Sequence, residues 1–262
     1  MQYGTFMVLD EKLKHFTGAS PCSRQILSKP DKIGHWVSEV CVYIARDIPY
    51  CTRLFPITTC TTAGETTPVS DIVAWATMGI PKFPNGTIPT IVADAYYLDT
   101  TGRDLLLRQG TNFICAVNPV RFKVQTDTLR EIVKGTTGEW AAMRNTTTGE
   151  LFLHVHDKNR GPKYVLTNCF RPTTKKLQKG KIPVWDEYWY GASACDRFNA
   201  QMGKHYWPFK RTRWEHGIDD LLFTVTMFDI FNIHRVVNPG IHILTEKMRE
   251  LAFDLYKHAL TL

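Results

Sequence analysis

Several common sequence signals are missing from this chain of 262 residues. No run of about 18 apolar residues occurs, so we expect no membrane-spanning helix and no membrane partner. The opening residues, MQYGTFMVLDEK, lack the basic start, apolar middle and small-residue cleavage site of a secretory signal, which predicts a cytosolic or nuclear protein. No low-complexity tract is present either, and a hydrophobic share of 44% is typical of a globular protein.

Cysteine-pairing motifs are missing as well. The seven cysteines form no CxxC pair, so their spacing indicates neither a zinc site nor a disulfide framework. Reduced and mostly buried thiols are the simpler interpretation.

Positive charge is present in excess, with a net charge of +7. Two segments, 171–181 and 204–214, hold much of it, and the second interleaves tryptophan, tyrosine and phenylalanine with lysine and arginine. Aromatic platforms beside phosphate-binding cations are what distorted or single-stranded nucleic acid requires. Either segment could instead be an ordinary solvated loop. The charge therefore predicts a polyanionic partner and says nothing about the fold.

The order of the predicted elements indicates a mixed α/β sheet. Residues 4–10 and 88–94 have the continuous apolar character of buried strands, and 35–58 the pattern of a hairpin. Helical periodicity and strand signals fill the other places; the predicted helices are 68–79, 98–110, 185–203, 217–237 and 244–260, and a further strand is 111–119. Short polar strand-like pieces follow residue 120. We therefore predict a core in two parts, 1–120 and 183–262, around a β-rich insertion subdomain at 121–182.

Three aspartates do not fit their surroundings. Asp10 and Asp94 each close an apolar run that resembles a buried strand, and groups at the carboxyl ends of parallel strands meet at one crevice. On the third predicted helix, steps of four and three place Asp196 on a stripe that faces inward. That stripe consists of Trp185, Trp189, Ala192, Asp196, Asn199 and Gly203. Clustered carboxylates would repel one another strongly, and divalent cations resolve such a cluster.

The chain resembles the catalytic domain of piggyBac-type DNA transposases and their host-derived relatives. Five stretches carry the likeness in the family's order: VLDEKLKHFTG, SRQILSKPDKIG, VADAYYLDTTGRDLLLRQGTNFICAV, WDEYWYGASACDRFNAQM and KRTRWEHGIDDLLFTVTMFDIFNIHRV. The resemblance implies an RNase H-like fold with a β-rich insertion before the last catalytic helix. It also implies that Asp10, Asp94 and Asp196 form a DDD triad that binds two Mg²⁺ (or Mn²⁺) ions. Asn199 replaces an acid common in the family and is a further candidate ligand.

The resemblance makes double-stranded DNA the expected partner, as transposon ends and a TTAA target, in the nucleus. Family members cut at TTAA sites by hydrolysis, form end hairpins and join the ends to target DNA. Candidate DNA contacts are Arg24, Lys29, Lys32, Lys204, Lys210, Arg211 and Arg213. Because no long segment precedes Asp10 and no cysteine-rich module follows, we expect no autonomous transposition; a homodimer is left open.

Three functions therefore remain as hypotheses. The first is an incomplete or degenerate transposase core that hydrolyses phosphodiesters and transfers strands. The second is a transposon-derived DNA-binding or interaction protein without catalysis. The third is an unrelated RNase H-like nuclease, which would cleave RNA–DNA hybrids without a TTAA preference.

Overall fold

The computed structural model describes most of the chain. The described residues are 6–15, 20, 23–25, 33–45, 48–56, 67–80, 88–134, 140–157, 161–169, 183–204 and 214–238. They divide into two compact units. The parallel unit comprises Gly4–Asp10 and Thr67–Ala194, and the hairpin unit comprises Met1–Tyr3, Glu11–Thr66 and Cys195–Leu262.

The parallel unit is built on short strands that run side by side. Its strands are β1 (Phe6–His15, as far as Asp10), β5 (Thr90–Ala93), β6 (Phe113–Ala116), β7 (Trp140–Arg144), β8 (Leu151–Asp157) and β9 (Gly161–Thr167). They lie in the order β1-β5-β6-β9-β8-β7. The β1–β5 and β5–β6 pairs are parallel, whereas β9, β8 and β7 continue the sheet in antiparallel fashion. The strand-like pieces predicted after residue 120 thus extend the main sheet through β9.

Four helices accompany these strands. They are α1 (Val69–Thr77), α2 (Thr100–Arg108), α3 (Lys123–Lys134) and the first part of α4 (Pro183–Lys204). The Asp99 side chain caps α2 by accepting a hydrogen bond from the Gly102 amide at 2.7 Å. Helix α3 was not among the predicted elements, because only Thr126 and Leu129 of its twelve residues are buried and its apolar periodicity is sparse.

The hairpin unit is dominated by one long strand. Its elements are β2 (Ser23–Gln25), β3 (Ile33–Ala45), β4 (Ile48–Pro56), the remainder of β1, the remainder of α4 and α5 (Trp214–Val237). Strand β3 has β2 and β1 as neighbours and also pairs antiparallel with β4, with irregularities after Val40 and Tyr43. Helix α5 buries the apolar stripe expected from its sequence, including Leu221, Val225 and Phe228.

The predicted fold class is confirmed. The structure is a mixed α/β sheet flanked by helices, and its core strands carry the apolar runs from which they were predicted. Within the described part of the chain, no helix has the length and hydropathy needed to cross a bilayer.

Candidate metal centre

Two of the three predicted aspartates lie beside each other in the parallel unit. The β1–β5 register ends with Leu9 opposite Ala93, and Asp10 and Asp94 are the next residues on the two strands. Neighbouring strands are about 4.8 Å apart, and residues in register on parallel strands point to the same face. Asp10 is half-buried and Asp94 is exposed. The sheet therefore presents a pair of carboxylates where the β1–β5 pairing ends, with Asp10 inside β1, which continues to His15, and Asp94 directly after β5.

The turn after β5 holds the Asp94 side chain in place. The Tyr96 amide donates to Asp94 Oδ1 at 2.5 Å, and the Tyr97 amide donates to the Asp94 carbonyl at 3.2 Å. A side-chain oxygen that accepts from the backbone two residues on is a common way to stabilise such a turn. The carboxylate is thus positioned by local backbone before any ligand is present.

Arg121 supports this turn from the opposite side. Its Nη1 donates to the Tyr96 carbonyl at 2.7 Å and to the Leu98 carbonyl at 3.4 Å. Its guanidinium lies 6.0 Å from the centroid of the Tyr96 ring. Sequence reasoning did not single out Arg121, because the contact joins segments about 25 residues apart. Its role is to fix the backbone that carries Asp94.

The aspartate pair has the donor chemistry of a hard divalent cation. Two carboxylates about 5 Å apart repel each other by roughly 3 kcal/mol at an effective dielectric near 20, and less where solvent reaches them. Mg²⁺ prefers carboxylate oxygens and commonly uses only one or two protein carboxylates. Asp10 and Asp94 therefore fit the cation that the sequence predicted; the identity of the metal and their catalytic role stay predictions.

The prediction that Asp196 faces inward is wrong. Asp196 is exposed, and Trp189, from the same predicted stripe, is 40% exposed. The buried face of α4 is shifted by about one position and consists of Val184, Tyr188, Gly191, Ala194, Cys195, Phe198 and Met202. The predicted stripe was placed by its large aromatic residues, whereas small residues determine how closely the helix approaches the sheet.

Gly191 shows the physical reason for this orientation. A Cβ atom added at Gly191 would lie 2.7 Å from Cγ2 of Val92 on β5, closer than side chains tolerate. Only glycine permits this approach between helix and strand, so residue 191 must face the sheet. Asp196 lies five residues further along α4, about 140° round the helix from Gly191.

Asp196 and the aspartate pair belong to different units. The completed triad therefore stays a prediction, although the exposure of Asp196 leaves its carboxylate accessible to an external cation.

Asn199, the fourth predicted ligand, is held inside the hairpin unit. Its Oδ1 accepts a hydrogen bond from Lys12 Nζ at 2.7 Å, and its Nδ2 donates to Glu39 Oε1. Burial lowers the pKa of Lys12, and the nearby Glu39 carboxylate opposes that shift. The atom that would bind a metal is thus already in contact with an ammonium group. Whether Asn199 ligates a metal stays a prediction.

Beside Asn199 lies a group of buried sulfur and oxygen atoms that the sequence did not indicate. The ligand atoms of Glu39, Cys41 and Cys195 all lie within 4.8 Å of one another. Cys51 is the register partner of Cys41 on the neighbouring strand. Burial raises the pKa of the Cys41 thiol, with hydrogen bonds from Cys195 and Cys51 acting in the same direction. The only sequence signal is Glu39 itself, an acid in the middle of the apolar run of β3.

The predicted DNA contacts lie outside the described side chains. Arg24 and Lys204 have described backbone only, in β2 and α4. Lys29, Lys32, Lys210, Arg211 and Arg213 lie outside the described residues altogether, as do most of the two basic segments. Their contribution to DNA binding stays a prediction.

Comparison with known proteins identifies the fold. A scan against protein-family models and a search of curated proteins find no match. Among solved structures, the chain is similar to piggyBac transposase in a cryo-EM structure of its synaptic complex with hairpin DNA. The TM-score is 0.72 at 17% sequence identity, over 95% of this chain and 51% of the transposase. The chain thus has a piggyBac transposase-like fold and spans about half the length of that protein.

Proposed function

We propose that this chain is a transposase-like catalytic core that breaks and joins DNA phosphodiester bonds with the help of divalent cations. The register that sets Asp10 beside Asp94 where the β1–β5 pairing ends carries this proposal. The likeness to piggyBac transposase, solved as a DNA complex, supports DNA as the substrate. Because this chain spans only half of that protein, the activity of a complete transposase is not assumed.

In this proposal each aspartate has a separate part. Asp94, fixed by the turn after β5, and Asp10 of β1 would hold a divalent cation. Asp196 of α4 is the third expected ligand of a set for two Mg²⁺ or Mn²⁺ ions. Bound ions would lower the pKa of a water or a DNA 3′-hydroxyl and stabilise the leaving oxygen. The residues themselves act by positioning. Their carboxylates would hold the metal ions at the place where the ions meet the phosphate oxygens.

The finer parts of the proposal concern the target and the location. We expect cleavage and joining at TTAA, contacts from the basic residues named above, and function in the nucleus, where such DNA is found. The net charge of +7 supports attraction to a polyanion, although it carries no sequence preference.

A second candidate is a DNA-binding protein that has lost catalysis. The observation that favours it is Asn199, where the transposase family commonly has an acid. Its oxygen accepts a hydrogen bond from the Lys12 ammonium, which competes with any cation for that atom. Under this alternative the basic surface would bind DNA while the aspartates bind no metal.

Strand cleavage by the purified chain separates the two candidates. The substrate is a labelled duplex that contains TTAA, compared with a scrambled duplex and an RNA–DNA hybrid, in Mn²⁺, Mg²⁺ or EDTA. We expect metal-dependent cuts at TTAA that disappear in Asp94→Asn and Asp196→Ala. Asp71→Asn, which alters an exposed acid of α1, is the matched control and should cleave normally. Binding of the duplex with no cleavage in any metal would favour the second candidate.

A further inference from the structure

Glu39, Cys41, Cys51 and Cys195 form a group in the hairpin unit that is unusual for residues that only pack a core. Cys41, Cys195 and Glu39 are each 0% exposed, and Cys51 is 6% exposed. Buried cysteines usually lie among apolar side chains. Here the Cys41 and Cys195 thiols lie close to the Glu39 carboxylate, and Cys51 is opposite Cys41 on the next strand. Three different elements, β3, β4 and α4, supply the three thiols.

The distances in this group suit a metal with tetrahedral coordination. A zinc ion binds thiolate sulfur at about 2.3 Å and carboxylate oxygen at about 2.0–2.2 Å, which sets neighbouring ligand atoms roughly 3.5–4 Å apart. The ligand atoms of Glu39, Cys41 and Cys195 already lie within 4.8 Å of one another. Small side-chain rotations would therefore bring three ligands onto one ion without moving the backbone.

Cys51 supplies the fourth ligand. It lies directly opposite Cys41 in the β3–β4 ladder, next to one of the irregularities of that ladder. Its Sγ currently donates to the Arg53 carbonyl at 3.4 Å, a weak hydrogen bond that metal binding would replace. Structural zinc sites are four-coordinate and closed to solvent, which agrees with the burial of all four residues.

We propose that Cys41, Cys51, Cys195 and Glu39 form a structural zinc site in the hairpin unit. Thiolates select zinc over Mg²⁺, so this site is chemically distinct from the aspartate pair. Binding releases three protons: three thiols become thiolates, Glu39 binds as a carboxylate, and the ion contributes two positive charges. The resulting centre carries a net charge of minus two.

Lys12 explains how such charge is tolerated inside the protein. The charge of the Glu39 carboxylate acts on its ammonium, and thiolates at Cys41, Cys51 and Cys195 would act on it in the same direction. The ammonium is fixed by Asn199 Oδ1 at 2.7 Å and contacts Met202 Sδ at 3.7 Å. A cation held in this way offsets part of the negative charge of the thiolates. The charge of the Glu39 carboxylate already acts on this lysine when no metal is bound.

The site has a consequence for the remainder of α4. Cys195 immediately precedes Asp196, so an ion bound at Cys195 would fix the turn of α4 that carries Asp196. The zinc site would thus support the proposed catalytic residue without touching its substrate. This consequence rests on the proposed function, whereas the metal site does not.

Metal analysis of the purified full chain tests the site. We expect about one zinc ion per chain by elemental analysis, as in a single closed site. After exchange into Co²⁺, the thiolate-to-cobalt absorption and the intense visible bands of tetrahedral cobalt should appear. Cys41→Ser and Cys195→Ser should lose both signals. Cys169→Ser, which changes a half-buried thiol of the parallel unit, should keep them, and so should Asp94→Asn.

A second variant covers the case in which those substitutions prevent folding. Cys51→Ser alters an edge strand and should fold, retain a metal and show a weaker thiolate-to-cobalt band because two thiolates remain. The site is wrong if the folded wild-type chain binds neither zinc nor tetrahedral cobalt after reconstitution under reducing conditions. It is also wrong if Cys169→Ser loses as much metal as Cys195→Ser, or if zinc-supplemented protein carries a Cys41–Cys51 disulfide.

Discussion

Two groups of acids, one in each unit, show two different arrangements. In the parallel unit, Asp10 and Asp94 follow the last residue pair of the β1–β5 register, and Asp94 is exposed. In the hairpin unit, Glu39 is fully buried, and the chain provides its own cation in Lys12. Acids that solvent can reach are accessible to an external cation, whereas a buried acid must be compensated from within. The aspartate pair therefore suits a ligand site, and the buried group with Lys12 supports the fold.

Removing the internal cation should have the largest effect on stability. Lys12→Met would leave the Glu39 carboxylate buried beside thiols without its ammonium partner. We expect a loss of about 3 kcal/mol in the free energy of unfolding, because a buried charged group that loses its compensating charge costs more than a neutral polar group. Urea denaturation in chelator and reductant measures this loss in the absence of metal.

Two further variants serve as controls for the loss of stability in Lys12→Met. Lys123→Met removes an exposed lysine of α3 and should change stability by less than about 0.5 kcal/mol. Lys12→Met combined with Glu39→Met should recover part of the loss, because no charge then remains unpaired. Equal effects of Lys12→Met and Lys123→Met would show that the buried pair is not compensated as described.

Filling the contact between α4 and β5 should have the next largest effect. Gly191→Ala places a methyl group 2.7 Å from Val92, and such overpacking costs about 2 kcal/mol. Gly203→Ala is the matched control, because nothing lies within 4 Å of its added Cβ, and it should stabilise the helix slightly. Thermal or urea denaturation separates the two.

Val92→Ala tests whether the loss in Gly191→Ala comes from this contact. In the double variant the methyl group has space, so the combined loss should be smaller than the sum of the single losses. If the losses of stability in the two single variants simply add, α4 does not approach the sheet at Val92.

The next largest losses of stability should come from substitutions in two ion pairs that differ in solvent exposure. Arg103 donates twice to Glu150, at 2.7 and 2.6 Å, and the Glu150 side chain is only 3% exposed. Glu150→Gln should cost about 1.5 kcal/mol, the lower end for hydrogen bonds to charged groups. Glu131→Gln, in a pair whose partners are each 71% exposed, should cost less than about 0.5 kcal/mol. Similar losses in both variants would contradict the role given to burial.

The smallest predicted effect is a pH dependence at Lys14. Burial lowers the pKa of Lys14 to about 8; Lys12 adds to the shift and Asp220 opposes it. Lys14 in turn lowers the pKa of His35, which burial already depresses, so His35 is neutral in this range.

Because the unfolded chain keeps the Lys14 proton to higher pH, stability should rise by about 1 kcal/mol between pH 8 and pH 9. Lys14→Met should reduce that rise, measured as the difference between urea curves at the two pH values. An identical rise in stability in the wild type and in Lys14→Met would show that folding does not lower the pKa of Lys14.

The sequence predictions succeeded where the residues that determine a feature lie close together in the chain. The apolar runs before Asp10 and Asp94 were predicted as strands because each run and its final acid lie within a few residues, although β1 continues to His15, beyond the predicted end at Asp10. The buried face of α4 was not predicted correctly, because the close approach at Gly191 depends on Val92, about 100 residues away. Bulky tryptophans suggested a buried stripe, yet Trp189 can remain at the surface while a glycine must face the strand.

The cysteine group illustrates the same limit. Its members come from positions 39, 41, 51 and 195, so no local spacing resembles a metal motif. Only the β3–β4 register and the position of Cys195 on α4 bring the atoms together. Lys12 and Arg121 were missed for an equivalent reason: each acts on residues that are distant in sequence.

The central claim is that Asp10 and Asp94 form a divalent-cation site, and its most direct test is the urea midpoint with and without Mn²⁺. In EDTA, Asp94→Asn should be at least as stable as the wild type, because it removes repulsion and asparagine can still accept from the Tyr96 amide. Mn²⁺ should raise the midpoint of the wild type and of Asp71→Asn, since a ligand that binds only the folded state stabilises it. It should leave Asp94→Asn unchanged. An equal rise in Asp94→Asn would contradict the account.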